Sequence, residues 1–171
     1  MAMLSFDIGS LQEHAARVDG FLAEDDAVWQ EGDPKPTSPI HATGRLSKAG
    51  SGRYYWSGRI EGAVEGACRR CLTTLSAPVR EEVHFIFAET DDAEADDPDV
   101  FALPAGAHQI DLRPAIREQW LLSAPTFALC RDDCKGLCPR CGADLNVAPC
   151  TCEAETDSRW DALRKLRGEA R

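Results

Sequence analysis

The spacing of apolar residues divides the chain into strand-like and helix-like stretches. Ile60, Gly62, Val64 and Gly66 alternate with Glu61, Ala63 and Glu65, the period-two pattern of a half-buried strand. Val79, Val83, Phe85 and Phe87, interleaved with Glu82 and His84, predict a second strand rich in the β-branched and aromatic residues that suit a pleated surface. Arg45-Leu46-Ser47 and Arg53-Tyr54-Tyr55-Trp56-Ser57 flank Lys48-Ala49-Gly50-Ser51-Gly52, which predicts a hairpin with a glycine-rich loop. Further on the period lengthens. Leu112, Ile116 and Trp120 recur every four residues, with Ala115 and Leu122 extending the stripe. Asp111 is a cap for that helix, Pro114 fits its first turn, and Pro125 follows its end. Two shorter helices are predicted near the termini. One carries Ile8, Leu11, Ala15 and Ala16 with Ser10 as cap; the other carries Trp160, Leu163 and Leu166 with Asp157 as cap.

Punctuation between these elements suggests three regions. Pro34, Pro36 and Pro39 make residues 1–39 an N-terminal segment ending in a turn-rich connector. Residues 40–125 form a β-rich domain with one helix, and residues 126–171 form a cysteine-rich module followed by the terminal helix. The predicted fold class is α+β: an antiparallel β-sheet domain with flanking helices and a C-terminal Cys-rich, zinc-ribbon-like module.

Composition narrows the picture. At 171 residues, 43% apolar and 28% charged, the chain falls in the class of soluble globular proteins. No apolar run reaches the 18 residues of a spanning helix. The first seven residues show no basic region leading into an apolar stretch, so the expected compartment is the cytoplasm. Acids outnumber bases 29 to 19. Seven of those acids crowd into residues 89–99 with no base among them; without that run, 22 acids face 19 bases. Like charges at that density repel, which predicts a solvated loop. No extended basic stripe exists to displace phosphate counterions, so the sequence disfavours tight autonomous binding of nucleic acid.

Cysteine changes the reading most. Six of the eight cysteines lie between positions 130 and 152, and clustered thiols in a reducing compartment point to metal ligation or redox chemistry. Cys138-Pro139-Arg140-Cys141-Gly142 has the form of a zinc-knuckle half-site, with glycine available for the positive φ of a tight turn. A closed structural zinc site takes four ligands. Cys138 and Cys141 lead the candidate set, Cys150 and Cys152 come next, and Cys134 and Cys130 follow. Those six exceed the needs of one ion. Cys68 and Cys71 form a separate pair between predicted strands, and eight thiols suffice for two complete sites. A redox role is the rival for Cys68 and Cys71, whose thiolates Arg69 and Arg70 would favour. His14, His41, His84 and His108 lie far from the cysteine run, and no HExxH, GxSxG, P-loop or GxGxxG pattern occurs. The sequence therefore predicts no enzyme, no catalytic residue and no small-molecule substrate.

The run Cys130-x3-Cys134-Lys135-Gly136-Leu137-Cys138-Pro139-x-Cys141-Gly142, continued by Leu145-Asn146 and Cys150-x-Cys152, resembles the C-terminal signature of the bacterial YceD family, the large ribosomal RNA subunit accumulation proteins. Ala67-Cys68-Arg69-Arg70-Cys71-Leu72 resembles that family's internal CxRC element. Ile110-Asp111-Leu112 with Ile116-Arg117-Glu118 and Pro125 resembles its helix, and the likeness runs over roughly residues 40 to 166. Ser158 departs from it where a proline is usual. The resemblance implies a cytoplasmic factor that supports synthesis, processing or stability of large-subunit (23S) rRNA. It also implies partners among ribosomal proteins or the pre-ribosomal large subunit, with no membrane partner. An acidic surface suits basic ribosomal proteins. A direct rRNA contact through Arg53, Arg59, Arg69, Arg70 and Arg80 is the alternative, should the sheet gather them on one face.

Overall fold

A computed structural model describes residues 4–89, 100–152 and 159 of the chain. The strands are β1 (Ser5–Asp7), β2 (Ala16–Leu22), β3 (Ile40–Gly50), β4 (Arg53–Ala67), β5 (Thr74–Glu89), β6 (Val100–Leu103) and β7 (Gln109–Asp111), the long alternating segments becoming β3, β4 and β5. Among the described residues two helices accompany them, α1 (Ile8–Glu13) and α2 (Arg113–Ser123). The main sheet runs β2-β3-β4-β5-β6, and β1 pairs with β7 in a separate ribbon. The first four strands are antiparallel, whereas β6 joins β5 in parallel. The fold is thus α+β with a mixed, mostly antiparallel sheet. The parallel edge corrects the purely antiparallel expectation. Because β5 and β6 point the same way, they cannot be joined by a tight hairpin and need a longer crossover.

Alternation fixes which face is buried. Tyr54, Trp56, Ile60 and Val64 of β4 point inward, with Ile40, Ala42 and Leu46 of β3 and Val79, Val83 and Phe87 of β5. The α2 helix covers this face with Ala115, Ile116 and Trp120. Gly62 leaves room for it: a Cβ there would lie 2.9 Å from the Trp120 ring. Each large side chain withdrawn from water contributes roughly 1.5–3 kcal/mol to this packing. The proline-rich connector is fastened to the same helix. The Trp120 indole donates to the carbonyl of Pro34 at 2.7 Å, and the Arg117 guanidinium forks onto both Asp33 oxygens at 2.7 and 2.9 Å. The Arg117 guanidinium, with the Gln30 N–H at 2.8 Å, holds the Asp33 carboxyl below the usual carboxylate range.

Several sequence expectations need correction. The boundary drawn after residue 39 falls between paired strands, since β2 runs along β3 with Leu22 opposite Ile40. The N-terminal segment is therefore part of the sheet. Val18, Gly20 and Leu22 alternate with Arg17, Asp19 and Phe21, but the segment is short and the helical reading absorbed Ala16. Asp7, not Ser10, caps α1, its carboxylate accepting from the Ser10 N–H at 2.7 Å. Ala15 and Ala16 lie beyond that helix. Leu112 occupies the cap position of α2; Asp111 sits one residue earlier and accepts from the Arg113 N–H at 3.0 Å. Leu122 is exposed and does not extend the buried stripe. Residues 90–99 of the acidic run, and the terminal helix predicted after Asp157, lie outside the described residues apart from Arg159.

Candidate metal centre

At the turn that joins β4 to β5, and in the chain after α2, the eight cysteines gather into two groups of four. Cys68, Cys71, Cys130 and Cys134 bring their sulfurs within 4.8 Å of one another, and so do Cys138, Cys141, Cys150 and Cys152. The six candidates from the C-terminal run are thus divided. Cys138, Cys141, Cys150 and Cys152 stand together, while Cys130 and Cys134 turn back to join Cys68 and Cys71. No histidine or carboxylate belongs to either group among the described residues.

Both groups are built on the same local turn. In one, the Cys68 N–H donates to the Thr73 carbonyl at 2.9 Å and the Leu72 N–H to the Cys68 carbonyl at 2.9 Å. In the other, the Cys138 N–H donates to the Ala143 carbonyl at 2.8 Å and the Gly142 N–H to the Cys138 carbonyl at 2.9 Å. The residue after the second cysteine takes a positive φ in each, +60° for Leu72 and +72° for Gly142. Glycine meets that requirement freely, whereas leucine is strained by its Cβ. Leu72 is the sole non-glycine residue with positive φ among those described.

The turn aims backbone N–H groups at the first sulfur. Those of Cys71, then Cys130 and Arg70, surround Cys68 and pull its thiol down to about 6, against the opposing effect of burial. The N–H groups of Cys141 and Arg140 do the same for Cys138, also to about 6. Cys71 is lowered by the Thr73 hydroxyl, 3.3 Å away, and the Thr73 N–H. The last sulfurs behave oppositely. Partial loss of water around its sulfur, then the neighbouring Cys134, Cys71 and Cys68, pushes Cys130 up to about 12 although the residue is exposed. Cys141, then the same desolvation and Cys138, push Cys152 up to about 12. Four close thiols cannot all ionise unaided, because each added negative charge repels the next. A cation among them removes that repulsion and lets all four act as thiolates.

Distances test the fit. Within the first group Cys68 and Cys134 sulfurs are 3.8 Å apart and those of Cys71 and Cys130 3.6 Å. Metal–sulfur bonds of about 2.3 Å in a tetrahedron put neighbouring sulfurs roughly 3.8 Å apart. All eight cysteines are free thiols. Each cluster could therefore hold a metal ion, with four sulfurs and no open position.

The two clusters interlock. Arg70, inside the first knuckle, sends its guanidinium to the carbonyls of Asp132 and Cys134 at 3.2 and 2.8 Å. Its own carbonyl accepts from the Leu137 N–H at 3.0 Å. Gly136 lies so near that a Cβ would come within 2.9 Å of the Arg70 oxygen. Asn146, in the loop that closes the second cluster, donates its amide to the Cys134 sulfur at 3.5 Å. It also accepts from the Lys135 N–H at 2.8 Å. Sequence reasoning singled out Asn146 only as part of a signature, since its contact with Cys134 depends on the loop's return. Of the proposed basic set, Arg69 and Arg70 belong to this knuckle and Arg53, Arg59 and Arg80 to the sheet. The structure does not gather all five on one face.

An α+β domain bearing two interlocked four-cysteine clusters is the class of protein that fold and site define. Comparison with known families makes this particular. Residues 56–167 match the model described as large ribosomal RNA subunit accumulation protein YceD, and the chain belongs to that family. It is 30% identical over 113 residues to a Mycobacterium tuberculosis protein described as uncharacterized, covering 66% of this chain and 55% of the relative. It is 28% identical over 148 residues to the chloroplastic large ribosomal RNA subunit accumulation protein YCED homolog 1 of Zea mays, covering 70% of this chain and 50% of the relative. The Arabidopsis thaliana protein of the same description is 36% identical over 70 residues, or 40% of this chain and 22% of the relative. The chain spans about half the length of the first relatives it matches. No solved structure matches.

Proposed function

We propose that this chain is a non-enzymatic ribosome-biogenesis factor that supports synthesis, processing or stability of large-subunit (23S) rRNA in the cytoplasm. Its work is to hold a partner in the assembling large subunit, a ribosomal protein or rRNA itself. The family match over residues 56–167 carries this reading, since it includes most of β4, all of β5 and both cysteine clusters. No helix among the described residues is long and apolar enough to cross a membrane.

Both clusters hold structural zinc in this proposal. Tetrathiolate sites suit zinc, and four protein ligands leave no position for substrate. Cys68, Cys71, Cys130 and Cys134 would hold one ion, and Cys138, Cys141, Cys150 and Cys152 the other. The backbone N–H groups around Cys68 and Cys138 share the thiolate charge, and Asn146 steadies Cys134. The ions contribute folding energy to a segment with little apolar core of its own. The thiol-redox alternative for Cys68 and Cys71 is disfavoured by their burial and by the two further sulfurs beside them.

Depletion of the protein from its native cell tests the functional reading. Loss of mature 23S rRNA relative to 16S, restored by the parent chain, is the expected result. An unchanged ratio would refute it. Elemental analysis of purified protein should give two zinc ions per chain.

A further inference from the structure

Among the described residues, the outward side chains of β2 to β5 on the face opposite α2 are exposed or half-buried, apart from Ala88 near the end of β5. Register lays them out in rows. One row runs Arg17 opposite Arg45, Arg45 opposite Ser57, and Ser57 opposite His84. It contains no acid. Like charges directly opposite on neighbouring strands repel. Asp19 offsets part of that repulsion, 3.2 Å from the 84% exposed Arg17, but it is shared with His41 at 2.9 Å. The Arg45 guanidinium has no ion pair or hydrogen-bond partner among the described residues. The next row is self-neutralised, Arg59 reaching Glu82 at 3.2 Å. In a chain of net charge −10, the Arg17–Arg45 row is a local site for negative charge.

Flat rings lie on either side of it. Phe21, 49% exposed, stacks on His41 with centroids 4.5 Å apart and planes 12° from parallel. Tyr55 stacks on His84 at 6.1 Å and 14°. Strand geometry places these two stacks at opposite corners of the face, roughly 20 Å apart. Guanidiniums between exposed ring platforms are the combination that takes a phosphate backbone and its unstacked bases together.

We propose that this face binds single-stranded RNA. Arg17 and Arg45 hold phosphates, while the Phe21–His41 and Tyr55–His84 platforms stack bases. A duplex hides its bases from both platforms, so the site selects single strand. The proposal deepens the ribosome-biogenesis reading and rests on it for the choice of RNA.

Fluorescence anisotropy of the full metal-loaded chain with a labelled ten-nucleotide oligouridylate tests this, across a salt series. Two phosphate contacts give a log–log salt slope of about −1.4, and Arg45→Ala should reduce it by about 0.7 while weakening binding about tenfold. Phe21→Ala should weaken binding about fivefold or more and leave the slope unchanged. Arg45→Lys should retain the slope, and thermal melting of each variant confirms the fold. Undetectable binding by the parent, variants that bind as the parent does, or preference for duplex RNA of equal length would each overturn the proposal. Sedimentation of the chain with large-subunit precursors separates the two claims. Co-sedimentation without oligouridylate binding removes this face and leaves the function; absence of both removes both.

Discussion

The two cysteine clusters use one knuckle for two architectural tasks. The second draws its sulfurs from 15 consecutive residues, Cys138 to Cys152. The first joins sulfurs from both sides of β5, β6, β7 and α2. Eight residues separate Cys141 from Cys150, but 58 separate Cys71 from Cys130. Closing the longer loop costs about 1.7 kcal/mol more chain entropy, and that entropy is already lost once the ion holds it closed. Burial follows the same division: Cys68, Cys71 and Cys134 are buried, whereas the second cluster buries only Cys138. One cluster ties the sheet to the C-terminal segment; the other shapes that segment locally.

Removing one ligand from each cluster should produce the largest contrast. Cys134→Ser should lower the unfolding free energy by about 1.7 kcal/mol more than Cys150→Ser, from loop closure alone. Denaturant titration of both variants, with native mass spectrometry showing one ion instead of two, checks it. Equal losses would erase the distinction between tie and local shaper. A strong chelator should act in two phases, emptying the exposed second cluster first. Release of both ions in one phase, followed with a colorimetric zinc indicator, would show a single cooperative unit.

Acidity should affect both clusters in the same direction. Cys68 and Cys138 titrate near 6, while Cys130 and Cys152 stay protonated to about 12 without an ion. Metal entry must therefore expel at least one proton per cluster at neutral pH, and affinity rises about tenfold per pH unit for each proton. As pH falls through 6, the low thiols also take up protons and the ions leave. Competition titrations between pH 6 and 8 measure the slope; a pH-independent affinity would contradict a tetrathiolate.

Asn146→Ala should weaken zinc in the first cluster about tenfold although Asn146 lies in the loop of the second. Zinc competition on the Cys150→Ser background, where only the first cluster remains complete, isolates the effect. The smallest expected change is at the knuckle itself. Leu72→Gly relieves a left-handed leucine and should stabilise by about 0.5–1 kcal/mol, whereas Gly142→Ala should cost about 1 kcal/mol. Thermal melting distinguishes the two signs.

Local pattern carried much of this molecule. The hairpin, the β4 and β5 alternation and the Leu112–Ile116–Trp120 stripe each depend on neighbours a few residues away, and so were legible. The C-terminal knuckle was legible for the same reason, with Gly142 marking its turn. What escaped was non-local. Ala16–Leu22 becomes a strand because β3 offers an edge beyond the proline connector, a partnership that no window of sequence displays. The partition of Cys130 and Cys134 toward Cys68 and Cys71 depends on where α2 delivers the chain. Leu72 concealed the likeness of the two knuckles, since leucine does not advertise a positive φ.

The distance between Cys71 and Cys130 also has a meaning in time. At about 5–20 residues per second, a ribosome needs about 3–12 s to add the 59 positions that bring Cys130 after Cys71. Throughout that interval the earliest two sulfurs emerge ahead of their partners. Oxidation during translation would thus strike this pair before the later six, which are made in quick succession. Supplying metal and reductant while the chain is being synthesised, rather than afterwards, is the condition under which every sulfur finds its intended neighbours.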